Sequence, residues 1–304
     1  MRVVLWSVLF AAIGGLTFPL AALGYRCTQT SEEQGAPSLS WAERSIEYVL
    51  HADGTETISG DEEFSVLRDS FLAWTRADDV FSSETSCRTT NGVESTNLSF
   101  RESTLDNTST FVGYDYLRPV EENQNLLIFY DQNWPHPGTG QSTVALTTVS
   151  YSESTGVIFD ADIEFNSEGF NFSADGLGAG MDLMNAAVHE IGHFLGLAHS
   201  SVSLSTMESH ATNNETHKRD LACDDARAIT FKYPASQTNG YCDADESCTT
   251  ACFSPEPETH QLEIQMEGCM GIRHRMPTTL LMLFLVGCWR LRRRLALLPR
   301  NGIV

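Results

Sequence analysis

Hydrophobic positions recur along the chain with two periods, and the two periods separate strands from helices. Within residues 40–50, Ile46, Tyr48 and Leu50 alternate as in a half-buried strand, with Trp41 just ahead of them. Ser59 and Glu62 make a capping-box pair. Phe64, Leu67, Phe71 and Trp74 follow at helical spacing, which predicts an amphipathic helix to about Arg76 with its aromatic face in the core. Residues 97–101 and 125–130 read as short strands. Residues 144–151 and 156–166 read as two more, joined by a polar turn, and the second carries Asp160, Asp162 and Glu164 in its later half. From Asp182, a stripe of Leu183, Ala187, Ile191 and Phe194 or Leu195 marks a second helix. Residues 221–233 form a third, stopped by Pro234. Strands with one early helix, followed by two later helices, suit an α+β domain better than alternating βαβ units.

The two ends follow neither period. Residues 1–24 hold one basic residue, a mostly apolar run from Val3 to Leu23 and no acid, and small residues lead up to Gly24. This predicts a secretory signal peptide cleaved near Gly24, with an uncleaved anchor as the alternative. Residues 25–37 form a polar N-terminal segment. At the other end Cys269 precedes a mostly apolar stretch, 278–289, and then Arg290, Arg292, Arg293 and Arg294. Twelve residues are short for a membrane span, although snorkelling arginines extend the reach of such a segment.

Charge sharpens the picture. Residues 25–268 carry 11 basic against 40 acidic side chains, a formal −29. Such a body repels nucleic acid and anionic lipid, so neither is an expected ligand. An acidic surface that keeps an exported protein soluble accounts for most of it, and a few carboxylates are candidates for Ca2+. Six cysteines fall in this body: Cys27, Cys87, Cys223, Cys242, Cys248 and Cys252. An oxidising compartment favours disulfides over a zinc knuckle in the segment 235–268, and six cysteines leave the connectivity open.

One string concentrates the chemistry: His189-Glu190-Ile191-Gly192-His193-Phe194-Leu195-Gly196-Leu197-Ala198-His199. On a helix His189 and His193 lie one turn apart on one face, placed to fill two corners of a zinc tetrahedron. Glu190 is adjacent and can reach a zinc-bound water as general base without ligating the metal. Gly196 can take a left-handed backbone and turn the chain so that His199 returns as third ligand. Three protein ligands leave a fourth position open, the mark of a catalytic rather than a structural zinc.

This string resembles the metzincin signature, and Met207, eight residues past His199, fits the methionine turn that follows it. Ser200 directly after the third histidine resembles the matrixin branch. So does the order of elements over roughly residues 38–234: the Trp41 strand, the 64–74 helix, the paired strands 144–151 and 156–166, and the last helix with Asp224 and Asp225. The resemblance implies a metzincin-like catalytic domain built on a twisted, mostly parallel sheet with an antiparallel edge strand and three helices. It implies one catalytic Zn2+ held by His189, His193 and His199, Glu190 as the catalytic base, and Met207 as an apolar floor. Strand 144–151 would pair with an extended protein or peptide substrate.

Three departures stand beside it. Glu208-Ser209-His210 replaces the usual tyrosine-proline wall after the methionine. Glu164 stands where vertebrate matrixins have a structural-zinc histidine, so no second zinc is expected. Cys27 is placed either in a disulfide or as a latch on the zinc, with the disulfide expected. The tail, 269–304, resembles the cysteine, apolar stretch and arginine-cluster sorting signals of myxobacterial exported proteins. Basic Arg273 and Arg275 between the cysteine and the apolar stretch depart from that pattern. Together these imply a monomeric endopeptidase, secreted or displayed at a bacterial surface, with transient membrane anchoring through the tail.

Overall fold

The computed structural model describes residues 24–235, apart from short stretches at 85–86, 88–93, 107, 119–122, 139–141 and 178–179, together with the backbone of Glu263–Ile264. The chain divides into two units, Met1–Met266 and Glu267–Val304, and every described residue belongs to the first. The apolar leader, Cys242, Cys248, Cys252 and the arginine-rich tail lie outside the described residues. No described helix is long and apolar enough to cross a membrane.

The elements run β1 (Arg26–Cys27), β2 (Ser45–Leu50), α1 (Glu62–Thr75), α2 (Ala77–Ser83), β3 (Ser99–Glu102), β4 (Leu126–Phe129), β5 (Ala145–Tyr151) and β6 (Ile158–Phe165). They continue through β7 (Phe172–Ser173), β8 (Met181–Asp182), α3 (Leu183–Phe194), β9 (Leu197–Ala198), a 3-10 turn at His217–Arg219, α4 (Cys223–Lys232) and β10 (Glu263–Ile264). The main sheet is ordered β10-β5-β6-β4-β2-β3. β3, β2, β4 and β6 are parallel neighbours, and β5 returns antiparallel to β6. The expected mostly parallel sheet with an antiparallel strand is therefore present.

Two expectations need correction. A fourth helix, α2, follows α1 after a break at Arg76, where three helices were expected. The Ser59–Glu62 capping box does not form: the chain turns through Gly60 (φ 78) and Asp61 (φ 60), α1 begins at Glu62, and Asp61 makes no side-chain cap. A left-handed turn thus stands where a cap was expected. The helical stripe itself lies where its spacing places it, with Phe64, Leu67, Phe71 and Trp74 all buried.

Each strand of the sheet sends alternate residues to opposite faces. One face packs α1 and α3 through Ile46, Tyr48, Leu50, Leu127, Phe129, Ala161, Ile163 and Phe165, which join the principal core. Phe71 stacks on Tyr48 and meets Phe194 edge-on, with ring centroids 3.9 and 5.6 Å apart, so α1 bridges the sheet and α3. The other face carries a small cluster of Val49, Leu126 and Ile128 beside Asp160, Asp162 and Glu164. A disulfide joins Cys87 to Cys223 at the start of α4, across 136 residues of sequence.

Candidate active site

The site grows from α3. Asp182 caps the helix by accepting the Asn185 N–H at 2.8 Å, and Arg219 pairs with the same carboxylate through its Nε (2.8 Å) and Nη2. At the other end the carbonyls left open by the helix are filled from outside. Trp41 Nε1 donates to Phe194 O and the Tyr233 hydroxyl to Leu195 O, both at 2.9 Å. Gly196 then adopts φ +80, and a Cβ there would fall 2.2 Å from Leu39 O, so both conformation and space demand glycine. The turn sends the chain into β9, which pairs antiparallel with β1, and brings His199 back toward the helix.

Three imidazoles converge as a result. His199 Nε2 lies 3.3 Å from His189 Nε2 and 3.2 Å from His193 Nε2. The Nδ1 atoms of His189 and His193 face Thr206 O (2.7 Å) and Leu197 O (2.8 Å). A carbonyl can only accept, so each Nδ1 carries the hydrogen and each Nε2 presents a lone pair to the shared point. Burial pushes all three imidazoles toward the neutral form: His189 falls well below its ordinary pKa, His193 is lowered, and His199 falls to about 4. Tetrahedral Zn2+ with bonds of about 2.0–2.1 Å requires ligand nitrogens about 3.3–3.4 Å apart. The donor set and its spacing fit one such ion.

Glu190, which follows His189 on α3, is also buried. Burial raises its carboxyl to about pH 7, opposed by a 2.6 Å hydrogen bond from the Thr147 hydroxyl to Oε2 and by the charge of Lys218. Its protonation thus balances near neutrality.

Met207 forms the floor. It is 1% exposed, and a Cβ at Gly192 would come 2.2 Å from its sulfur, so glycine within the motif is what lets the methionine approach the helix. Asp225 holds this turn by accepting the N–H groups of Thr206 (2.7 Å), Met207 (3.1 Å) and Ala222 (3.0 Å). Its neighbour Asp224 accepts the Ser200 hydroxyl at 2.6 Å and the Tyr25 N–H at 2.9 Å. The paired acids of α4 therefore fix the residue after His199 and the methionine turn together.

Past Met207, buried Lys218 supplies what the segment Glu208-Ser209-His210 lacks in sequence. Its Nζ donates to Glu208 O and His210 O, both at 2.6 Å, while its own N–H bonds Asn185 Oδ1 at 2.9 Å. The segment is thereby tied to the first turn of α3. Neither Lys218 nor Thr147 stands out in the sequence, because each acts across 8 to 43 residues rather than within a local pattern.

Other candidates lie elsewhere. Glu164 faces away from the triad and takes a 3.0 Å hydrogen bond with His136 Nε2. Cys27 has no disulfide partner among the described residues, and its candidate partners Cys242, Cys248 and Cys252 lie outside them. It packs partly buried against the principal core and is not among the ligand atoms gathered at the triad.

The sequence also has relatives. Fifty-eight residues are 48% identical to metalloendoproteinase 2-MMP of Arabidopsis thaliana, covering 19% of this chain and 15% of that protein. Sixty-one residues are 44% identical to karilysin of Tannerella forsythia, covering 19% of this chain and 12% of that protein. Both matches thus span far less than two thirds of the relative's length. The profile of the matrixin peptidases matches residues 40–234, well over half of the chain, and with that extent the protein belongs to the matrixin family.

Proposed function

We propose that this protein is an exported zinc-dependent endopeptidase in which His189, His193 and His199 hold the metal and Glu190 is the general base. The observation that carries the reading is the convergence of three neutral imidazoles, with His199 Nε2 3.3 Å from His189 Nε2 and 3.2 Å from His193 Nε2, on a helix that also carries the buried carboxyl of Glu190. Zn2+, when bound, supplies Lewis acidity that polarises a scissile carbonyl and makes water a competent nucleophile near neutral pH. The protein's own groups do the rest. Glu190 accepts the proton of the attacking water, and the same carboxyl delivers it to the amine nitrogen as the C–N bond breaks. Met207 and the aromatic packing behind α3 keep the far side of the histidines dry.

The substrate is a protein or peptide in extended form. Among the described residues β5 borders β6 on one side and meets β10 only at Ser150 and Tyr151 on the other, leaving Ala145–Val149 as an edge for strand addition. The acidic body and apolar leader support export as a monomer, with the 269–304 tail as a processed surface anchor.

Glu190→Ala tests the reading. It is expected to retain about one zinc per chain by metal analysis while losing peptide hydrolysis, because this residue moves protons and does not ligate. Substantial turnover in that variant would overturn the assignment.

A further inference from the structure

Thr147 is where the edge strand touches the carboxylate beside the histidines. It lies on β5, opposite Ile163 of β6, and points to the face covered by α3. Its hydroxyl is buried, 2.6 Å from Glu190 Oε2 and 3.1 Å from Glu190 O. A hydroxyl has one hydrogen to give. The shorter contact, to an ionisable oxygen, takes it, since a charge-assisted bond is about twice as strong as one between neutral groups.

We propose that Thr147 is a positioning residue for Glu190, an inference that rests on Glu190 being the base. The hydroxyl fixes Oε2 and the rotamer of the side chain, so that Oε1 is the oxygen left to receive the proton from water. Because Thr147 belongs to the strand offered to substrate, the same residue sets the carboxylate in register with a peptide paired along β5. A freely rotating carboxylate would spend much of its time misdirected, and misplacement of about 1 Å is enough to cost about 100-fold in rate.

The test compares Thr147→Val, which keeps the shape and deletes the hydroxyl, with Thr147→Ser, which keeps the hydroxyl and deletes the methyl. Thr147→Val is expected to bind one zinc, melt near the wild-type temperature, keep KM within about twofold and lose about 10–100-fold in kcat. Thr147→Ser is expected to recover most of that kcat. Unchanged kcat in Thr147→Val, or a loss that appears in KM alone, would overturn the proposal. A loss shared equally by Thr147→Ser, or accompanied by lost zinc or a lowered melting temperature, would also overturn it by showing that the residue serves packing. Should Thr147→Val not fold, Thr147→Ala and Thr147→Ser make the same comparison. Glu190→Ala runs alongside: if it stays active, the base assignment itself fails, an outcome distinct from any Thr147 result.

Discussion

The two faces of the central sheet bury carboxylates in contrasting ways. On the face toward α3, Glu190 is buried on the helix that carries His189 and His193, with one oxygen held by the Thr147 hydroxyl. On the opposite face Asp160, Asp162 and Glu164 line up along β6 and are tied into the fold. Asp162 accepts the N–H groups of Gly113 and Leu126 (2.8 Å), and Glu164 meets His136. Asp160 is 1% exposed and lies beside Asp162. Burial and the neighbouring Asp162 charge push its carboxyl up to about 9. Burial raises the pKa on both faces, so burial alone does not distinguish a base from a clasp. What differs is the surroundings: imidazole lone pairs free for a metal on the α3 side, and backbone N–H groups, His136 and neighbouring carboxylates around the β6 acids on the other.

The sharpest way to break this contrast is to remove a lone pair from the histidine face. His199→Ala should lower zinc occupancy and hydrolysis together, by orders of magnitude in activity. If metal analysis found zinc bound with normal affinity, the third-ligand assignment would be wrong. A smaller effect is expected from crowding the floor. Gly192→Ala drives a methyl into Met207 and should cost about 1–3 kcal/mol in a denaturant titration, with activity falling as the histidines shift. Stability equal to wild type would show that Met207 can move aside.

The smallest change concerns the opposite face and is one of slope. Asp160 in the folded protein keeps its proton to about pH 9, against 3.8 for the free side chain. The native state therefore binds more protons than the unfolded chain between those values, and this group makes stability fall as pH rises from about 5 to 9. Asp160→Asn should flatten that fall and be relatively most stable near pH 9. Parallel pH–stability curves for variant and wild type would mean that Asp160 is already ionised in the native state.

Much of the histidine face can be read from sequence because its determinants are local. His189, Glu190, His193, Gly196 and His199 fall within eleven residues, and the helical spacing of the first two histidines together with a turn at Gly196 predicts a convergent set. The stripe of α1 and the pairing of β5 with β6 are local patterns too. Features set by distant parts of the chain were not visible. Asp225 holds the methionine turn from 18 and 19 residues away, Lys218 pins Glu208 and His210 from outside any periodic segment, and Thr147 reaches Glu190 across 43 residues. The two-residue strands β1, β7, β8 and β9 owe their form to the partners they meet, not to propensity. Ser59 misleads for the opposite reason: a good local capping signal lost to a left-handed turn at Gly60 and Asp61.

The Cys87–Cys223 bond bears on more than the two segments it joins. Closing a loop of 136 residues restricts the unfolded ensemble, and the chain-entropy model values that restriction at about 5 kcal/mol, comparable to the whole net stability of many domains. The crosslink ends at the first residue of α4, directly before the two aspartates that hold the methionine turn and the residue after His199. A reducing environment would thus act first on the population of folded molecules and, through α4, on the part of the scaffold that supports the histidines. The geometry of the histidine face is in this sense conditional on a covalent bond formed elsewhere in the chain, in whatever compartment oxidises it.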